Sequence, residues 1–337
     1  MIAEALKKVA ARQDLTYDEA YSCMDEIFKG EVPEAVIAGY LTALHMKGET
    51  KEEITASANG MRNHAESLAC DSSKVLEIVG TGGDCANSFN ISTTSGMVAA
   101  AAGVPIAKHG NRSVSSKCGA ADVLESLGVN ITIAPEKMGE VLKKCNMGFM
   151  FAQVYHKAMK YVAPVRKQLG IPTIFNILGP LTNPAKAEMQ LLGVYREELM
   201  EQMAPVLVGL GVKNGMVVYG QDCLDEISMS APTTVCEIRN GSYKEYVIQP
   251  EDFGFDKCDK NELVGGGPEQ NAAITKAILS GEDKGARRNA VVMNAAACIY
   301  IAGKRDSLQS AAKLAEEMID SGKAMEVLQQ LVALTNA

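Results

Sequence analysis

Residues 76–97 read LEIVGTGGDCANSFNISTTSGM, and this stretch sets the fold class. An apolar, β-like run over 75–79 stops at Gly80-Thr81-Gly82-Gly83-Asp84, and a hydroxyl-rich segment then opens an Ala-rich helix. Three glycines in four residues permit a tight turn and let backbone N–H groups approach a ligand closely. Strand, glycine loop and helix N-terminus in that order form an anion cradle. A purely structural turn before a capped helix would use the same residues. The loop is neither the dinucleotide fingerprint nor the P-loop pattern. Asp84 is out of place among groups built for anions and suits sugar hydroxyls or a metal instead. Asn90, Ser92, Thr93 and Thr94 supply donors and N-cap groups where the helix begins.

Upstream of this stretch, residues 1–70 carry helical patterns only. Thr16 to Glu19 and Thr50 to Glu53 fit the capping box. Between them, Pro33 opens and Gly48 closes a helix whose Val36, Ile37, Tyr40, Leu41 and Leu44 form one apolar stripe. So few helices make a thin core, so this lobe is expected to pack on the rest of the chain or on a second copy.

Downstream, β and α patterns alternate, which implies a parallel sheet covered by helices. Strands are expected at 104–107, 147–152, 189–194 and 215–219. Helices are expected at 95–102, 120–127, 156–169 and 197–210. The run 171–185, IPTIFNILGPLTNPA, reads as an irregular crossing segment. Asn240-Gly241-Ser242 marks a hairpin between 233–239 and 243–248. Four helices follow from Pro268, the one over 289–302 apolar nearly all round. The class is α/β: a small all-helical N-terminal domain plus a large α/β domain with a mainly parallel central sheet.

Composition narrows the function. Of 337 residues, 47% are hydrophobic and 22% charged, ordinary for a globular protein. A net charge of −8 disfavours non-specific binding to nucleic acid or anionic membrane, which reward a basic face. Nine cysteines without a CxxC pair argue against a disulfide framework or zinc site and for a reducing cytoplasm. The N-terminus lacks the apolar centre of a signal peptide. No apolar run approaches the roughly 18 residues that span a bilayer.

Three further groups could carry chemistry. Lys108-His109-Gly110-Asn111-Arg112 follows a strand, with Ser113, Ser115, Ser116 and Lys117 close behind. The set suits a phosphate or diphosphate, Lys acting as a point charge and Arg as a fork, or else is a solvated basic loop. Two such loops at successive strand ends fall where α/β sheets bind ligands. Asp225-Glu226 after the fifth strand can hold Mg²⁺ through oxygen, or sit on the surface. Arg166 can clamp a carboxylate or make an ordinary ion pair. His109 and His156 are candidates for a general base or for hydrogen-bonded packing.

GTGGD at 80–84, NISTT at 90–94, KHGNR at 108–112, GAADVLESLGV at 119–129, NILGPLTNP at 176–184 and DE at 225–226 together resemble the anthranilate phosphoribosyltransferase family over essentially the whole chain. The resemblance implies transfer of the phosphoribosyl group of phosphoribosyl pyrophosphate (PRPP) to the amine of anthranilate, with Mg²⁺, in tryptophan biosynthesis. For PRPP it implies Gly80, Thr81, Gly82, Gly83 and Asp84, then Ser88, Asn90, Ile91, Ser92 and Thr93. It adds Lys108, His109, Gly110, Asn111, Arg112, Ser113, Val114, Ser115, Ser116 and Ala120. For anthranilate it implies Gly80, His109, Asn111, His156, Arg166 and Pro180, and for the metal Ser92, Asp225 and Glu226. No general base is assigned; Lys108 and Arg166 assist.

The resemblance also implies a helical domain over 1–70 with a returning segment near 165–188, and an α/β domain over 73–164 and 189–337. It implies a homodimer through the helical lobe and a possible association with an anthranilate synthase component, with neither nucleic acid nor membrane as partner. Ser88, Ala120, Lys157 and Pro172 depart from the usual Thr, Ser, Pro and Arg; Ala120 lacks a phosphate donor. The alternatives are a pyrimidine-nucleoside phosphorylase and a non-catalytic nucleic-acid-binding relative of the same fold.

Overall fold

The computed structural model describes residues 1–84, 86–113 and 117–337. The chain opens with four α-helices, Ile2–Ala10, Tyr17–Lys29, Glu34–Lys47 and Lys51–Asn63. Both expected capping boxes form, Thr16 and Thr50 accepting from the N–H groups of Glu19 and Glu53. The stripe of the third helix is the inner face: Ile37, Tyr40, Leu41 and Leu44 are buried.

Seven strands follow: β1 (Leu76–Gly80), β2 (Ile106–Gly110), β3 (Met147–Phe151), β4 (Met189–Gly193), β5 (Asn214–Gly220), β6 (Thr233–Arg239) and β7 (Ser242–Ile248). They form one sheet in the order β3-β2-β1-β4-β5-β6-β7. Pairing is parallel from β3 to β5 and antiparallel through β6 and β7. Asn240 and Gly241, at φ 48° and 82°, close the hairpin as a turn with two left-handed residues must.

Both sheet faces are covered, so strands are apolar on both sides. Leu191, Met216 and Val218 enter a core with the helices Ile91–Ala101 and Ala286–Ile301. Their alternates Leu192 and Val217 enter a second core with the N-terminal helices and the 162–181 segment. Each buried Leu, Ile or Met contributes roughly 1.5–3 kcal/mol relative to exposure, so these two layers, and not the loops, carry the fold. Among the described residues no helix is long and apolar enough to cross a membrane.

Four expectations shift. β2 runs over 106–110 and not 104–107, because Pro105 cannot donate to a ladder while pairing with β3 continues to Gly110↔Phe151. Lys108, His109 and Gly110 are therefore strand residues, not loop residues. The helix expected from 95 starts at Ile91. The helix expected over 156–169 is broken into Lys157–Tyr161 and Ala163–Leu169, with Pro164 in the first turn of the second. The crossing segment contains two short helical turns, Phe175–Leu178 and Gly179–Leu181.

One detail of register positions the site. β1 pairs with β4 over five residues, from Leu76↔Met189 to Gly80↔Gly193, and β2 pairs with β3 over five. β1 and β2 pair at Leu76↔Ile106 only.

Candidate active site

The glycine loop leaves β1 with Gly82 and Gly83 at φ 69° and 86°, left-handed values that only glycine adopts without strain. The Gly82 N–H donates to Asp225 Oδ2 at 2.6 Å, and the Ser92 N–H donates to Glu226 Oε1 at 3.1 Å. The acidic pair thus reaches across from the loop after β5 and ties down both ends of the 80–92 stretch. Neither residue is a surface acid; each is 9% exposed.

Three carboxylates and one ammonium gather here. Burial first, then the neighbouring Asp84 carboxylate, pushes the Asp225 carboxyl up; burial and Asp225 push Glu226 up. Asp84 Oδ1 accepts from the Ala86 N–H at 3.2 Å, while its Oδ2 is buried without a hydrogen-bond partner. Lys108 Nζ donates to Ile78 O at 2.7 Å and to Ser92 Oγ at 3.2 Å. Burial pushes this ammonium down, against the pull of Glu226 and Glu77. Buried like charges with an orphaned oxygen fit a hard divalent cation. Among the described residues no group of three or more His, Cys, Asp or Glu side chains is placed to hold a metal ion by itself.

The close packing explains two glycines. A Cβ on Gly80 would stand 2.2 Å from Asp225 Oδ2, and one on Gly193 1.7 Å from Asp225 O. Gly193→Ala meets backbone and cannot be absorbed by a rotamer change, so it is expected to cost about 3 kcal/mol or more. Thermal denaturation checks this; an unchanged melting temperature with unchanged activity would refute the packing account.

The second loop differs from its sequence reading. Arg112 is held by Asp122 at 3.1 Å and by Glu125, and lies over the Phe151 ring at 5.4 Å. Its fork is occupied by protein carboxylates. Asp122 also accepts from the N–H groups of Ser113 and Gly119. Asn111 Oδ1 accepts from the Arg112 N–H. Ala120 opens the helix Ala120–Ser126 beside Gly110. Val114, Ser115 and Ser116 lie outside the described residues. Asn90 occupies the N-cap position, yet its side chain makes no capping bond: Nδ2 donates to Cys118 O at 3.2 Å and Oδ1 accepts from Asn271 at 2.9 Å. Thr81 begins the loop with its N–H donating to Gly193 O, Ser88 bridges to Val264, and Thr93 and Ile91 are buried in the helix start.

On the opposite face of the sheet, the His109 and His156 rings meet at a tilt of 59° with centroids 4.9 Å apart. His109 Nδ1 lies 3.3 Å from Gly179 O; a carbonyl only accepts, so the proton is on Nδ1 and Nε2 carries the lone pair. Pro180 is buried beside them in the same turn. Burial pushes both imidazoles down, His156 to about 4. Arg166 sits over the Phe175 ring at 5.5 Å and has no carboxylate partner among the described residues. An ordinary ion pair is therefore not its role.

His156 gives a pH test. Its folded value, about 4, lies below its unfolded 6.5, so between these values the unfolded chain binds the extra proton and stability falls as pH falls. The penalty is absent well above about pH 6.5 and reaches about 2 kcal/mol at pH 5. Raised carboxyls elsewhere act with the opposite sign, so the readout is a difference. The stability change between about pH 7.5 and 5 should be about 2 kcal/mol less unfavourable in His156→Gln than in the unmodified chain, by urea denaturation. Equal changes would mean His156 is protonated in the folded state.

Sequence reading missed three buried asparagines and one acid. Asn294 Oδ1 accepts the Ile227 N–H at 3.0 Å and Nδ2 donates to Ile227 O at 3.0 Å, clamping the residue after Glu226. Asn271 holds Asn90, and Asn183 Nδ2 donates to Ala107 O. Glu77 is fully buried on β1. The available signal was a polar residue inside an otherwise apolar run, clearest for Asn294 and Glu77.

The helical bundle and the α/β sheet with its acidic pair define the class: residues 3–65 match the glycosyl transferase family helical bundle domain and residues 72–325 its a/b domain. Anthranilate phosphoribosyltransferase of Methanobrevibacter smithii is 60% identical over 100% of both chains, and that of Lachnoclostridium phytofermentans 59% over 100% of this chain and 99% of its own. Among solved structures, the Thermus thermophilus enzyme superposes with a TM-score of 0.94 at 44% identity, covering 99% of both chains. The Saccharomyces cerevisiae enzyme in complex with PRPP and Mg gives 0.92 at 28%, covering 99% of this chain and 98% of its own. The chain belongs to the anthranilate phosphoribosyltransferase family.

Proposed function

We propose that the chain transfers the phosphoribosyl group of PRPP to the amine of anthranilate, giving N-(5-phosphoribosyl)anthranilate and pyrophosphate. The observation that carries this reading is the pairing of Asp225 and Glu226 with the 80–92 loop at the carboxyl end of β1. The solved yeast relatives with PRPP and Mg, and with 4-fluoroanthranilate, support it.

In this reading the left-handed glycines turn the 80–84 backbone around the diphosphate, and Asp84 accepts from ribose hydroxyls. Ser92, Asp225 and Glu226 would hold Mg²⁺, whose charge stabilises the leaving pyrophosphate. Lys108 adds its positive potential from beneath, two of its three hydrogens being committed to Ile78 O and Ser92. The C1–O bond breaks with its electron pair on pyrophosphate, the amine nitrogen forms the C1–N bond, and the surplus amine proton leaves with the products. Arg166 clamps the anthranilate carboxylate, and His109, His156, Asn111 and Pro180 shape the slot for the ring. Holding the amine in line with C1 replaces a strong base. Both histidines, pushed down by burial, serve as neutral positioning groups.

The domain division belongs to the same reading, with 1–70 and the segment near 165–188 as one unit and 73–164 with 189–337 as the other. Its support is that Val165, Ile174 and Leu178 pack with the N-terminal helices, in a core that Leu192, Leu207 and Val217 of the α/β unit also enter. A homodimer through that lobe is supported by Met1 and Met46, 59% and 68% exposed, and gel filtration tests it. A cytoplasmic location completes the reading.

The test of the activity follows anthranilate fluorescence with purified protein, PRPP and Mg²⁺. Loss requiring both additions is expected. No loss while PRPP binds by calorimetry would keep the phosphoribosyl half and overturn the acceptor; turnover of a pyrimidine nucleoside with phosphate would overturn both.

A further inference from the structure

β1 and β2 share one regular ladder pair, and beyond it three side chains bond backbone or side-chain groups along the seam between the strands. Leu76↔Ile106 is a regular parallel pair, with the Leu76 N–H donating to Pro105 O at 2.9 Å. Two residues further on, the same pattern would join the Ile78 N–H to Ala107 O and the His109 N–H to Ile78 O. Instead Lys108 Nζ donates to Ile78 O at 2.7 Å, the His109 N–H donates to Glu77 Oε1 at 3.2 Å, and Asn183 Nδ2 donates to Ala107 O at 2.8 Å. The flanking pairs β1–β4 and β2–β3 remain regular throughout, so the irregular pairing is confined to this one seam.

Glu77 is the acid of this set, and the buried cations Lys108 and Arg62 favour its charged form. Its side chain is 0% exposed in the middle of a central strand, and its Oε2 has no hydrogen-bond partner. A carboxyl is a poor filler for such a place, since burial disfavours its charged form. What it supplies is an acceptor at the one point where the β2 backbone would otherwise lose its bond. Lys108 and His109, the two residues flanking that N–H, face the two halves of the candidate site, one beside Ser92 and the other beside Gly179.

We propose that Glu77 is a positioning residue for the transfer reaction: by accepting the His109 N–H it fixes Lys108 and His109 in the candidate site. This rests on the transferase reading. Gln keeps an acceptor oxygen at the same reach without the charge; Leu fills the space without an acceptor; Ala does neither.

The experiment measures kcat and both KM values for Glu77→Leu, Glu77→Ala and Glu77→Gln beside the unmodified protein, with melting temperature as the control for folding. Glu77→Leu and Glu77→Ala are expected to lose kcat at least about tenfold with the melting temperature changed by only a few degrees. Glu77→Gln should recover most of that loss. If Leu does not fold, the Ala and Gln pair reads the same contrast. Leu or Ala variants with kcat and KM within about twofold of the unmodified protein overturn the proposal, and so does a Gln variant as impaired as Ala. Failure of the transferase reading is distinguished at once, because the unmodified protein would then be inactive.

Discussion

Replacing Asp225 with Asn and Glu226 with Gln together is expected to reduce Mg²⁺-dependent turnover by roughly 1,000-fold or more, about 4 kcal/mol of barrier, while the melting temperature holds or rises. The opposite signs come from one cause. Both carboxyls are buried, both are pushed up by burial and by acidic neighbours, and Lys108 is the cation that offsets them. Removing two poorly compensated buried charges relieves the empty fold. The amide oxygens still accept the Gly82 and Ser92 N–H groups, so the 80–92 stretch keeps its anchors. What is lost is the anionic oxygen set that a divalent ion requires. Turnover against Mg²⁺ concentration, with Mg²⁺-dependent PRPP binding by calorimetry, checks this. Full activity of the double variant at limiting Mg²⁺ would remove the metal role.

Arg166→Ala is expected to raise the KM for anthranilate by roughly 100-fold, with a KM for PRPP within about twofold; a charge-assisted bidentate contact of about 3 kcal/mol accounts for the factor. Arg166 lies over Phe175 with no acid at hand, and burial pushes its guanidinium down. A half-buried cation without a carboxylate partner is unfavourable unless a ligand supplies one. Arg166→Lys should recover little, because a point charge cannot reproduce the planar fork. Equal effects on the two KM values would make Arg166 a structural residue instead. Steady-state kinetics with each substrate varied in turn gives the answer.

How much of this was legible in the chain follows from the range of the interactions. Local rules placed what depends on neighbours within a few residues. The capping boxes at Thr16 and Thr50, the Asn240-Gly241 hairpin and the left-handed Gly82 and Gly83 all follow from short-range sterics and hydrogen bonds. The α/β class follows from the alternation of apolar runs and helical patterns, which needs no knowledge of which strand meets which. Element ends were read less well: β2 moved by two residues because its far end is set by pairing with β3.

Side-chain commitments depend on partners distant in sequence and could not be read from local pattern. Arg112 looked like a phosphate fork, but Asp122 and Glu125, on the next helix, hold it. Asn90 looked like a cap, but Asn271, 181 residues away, takes its Oδ1. Lys108 looked like a loop cation and is 2% exposed within the sheet. The sequence by itself determined the fold class, the helical lobe, the glycine loop and the acidic pair, since each is a run of adjacent residues with its own chemistry. Only the tertiary structure decided that Asp225 and Glu226 fasten the first loop, that the two histidine rings meet beside Gly179, and that Glu77 accepts the His109 N–H. Each of these rests on groups folded together across strands, where burial and hydrogen-bond competition, and not residue type, assign the partner.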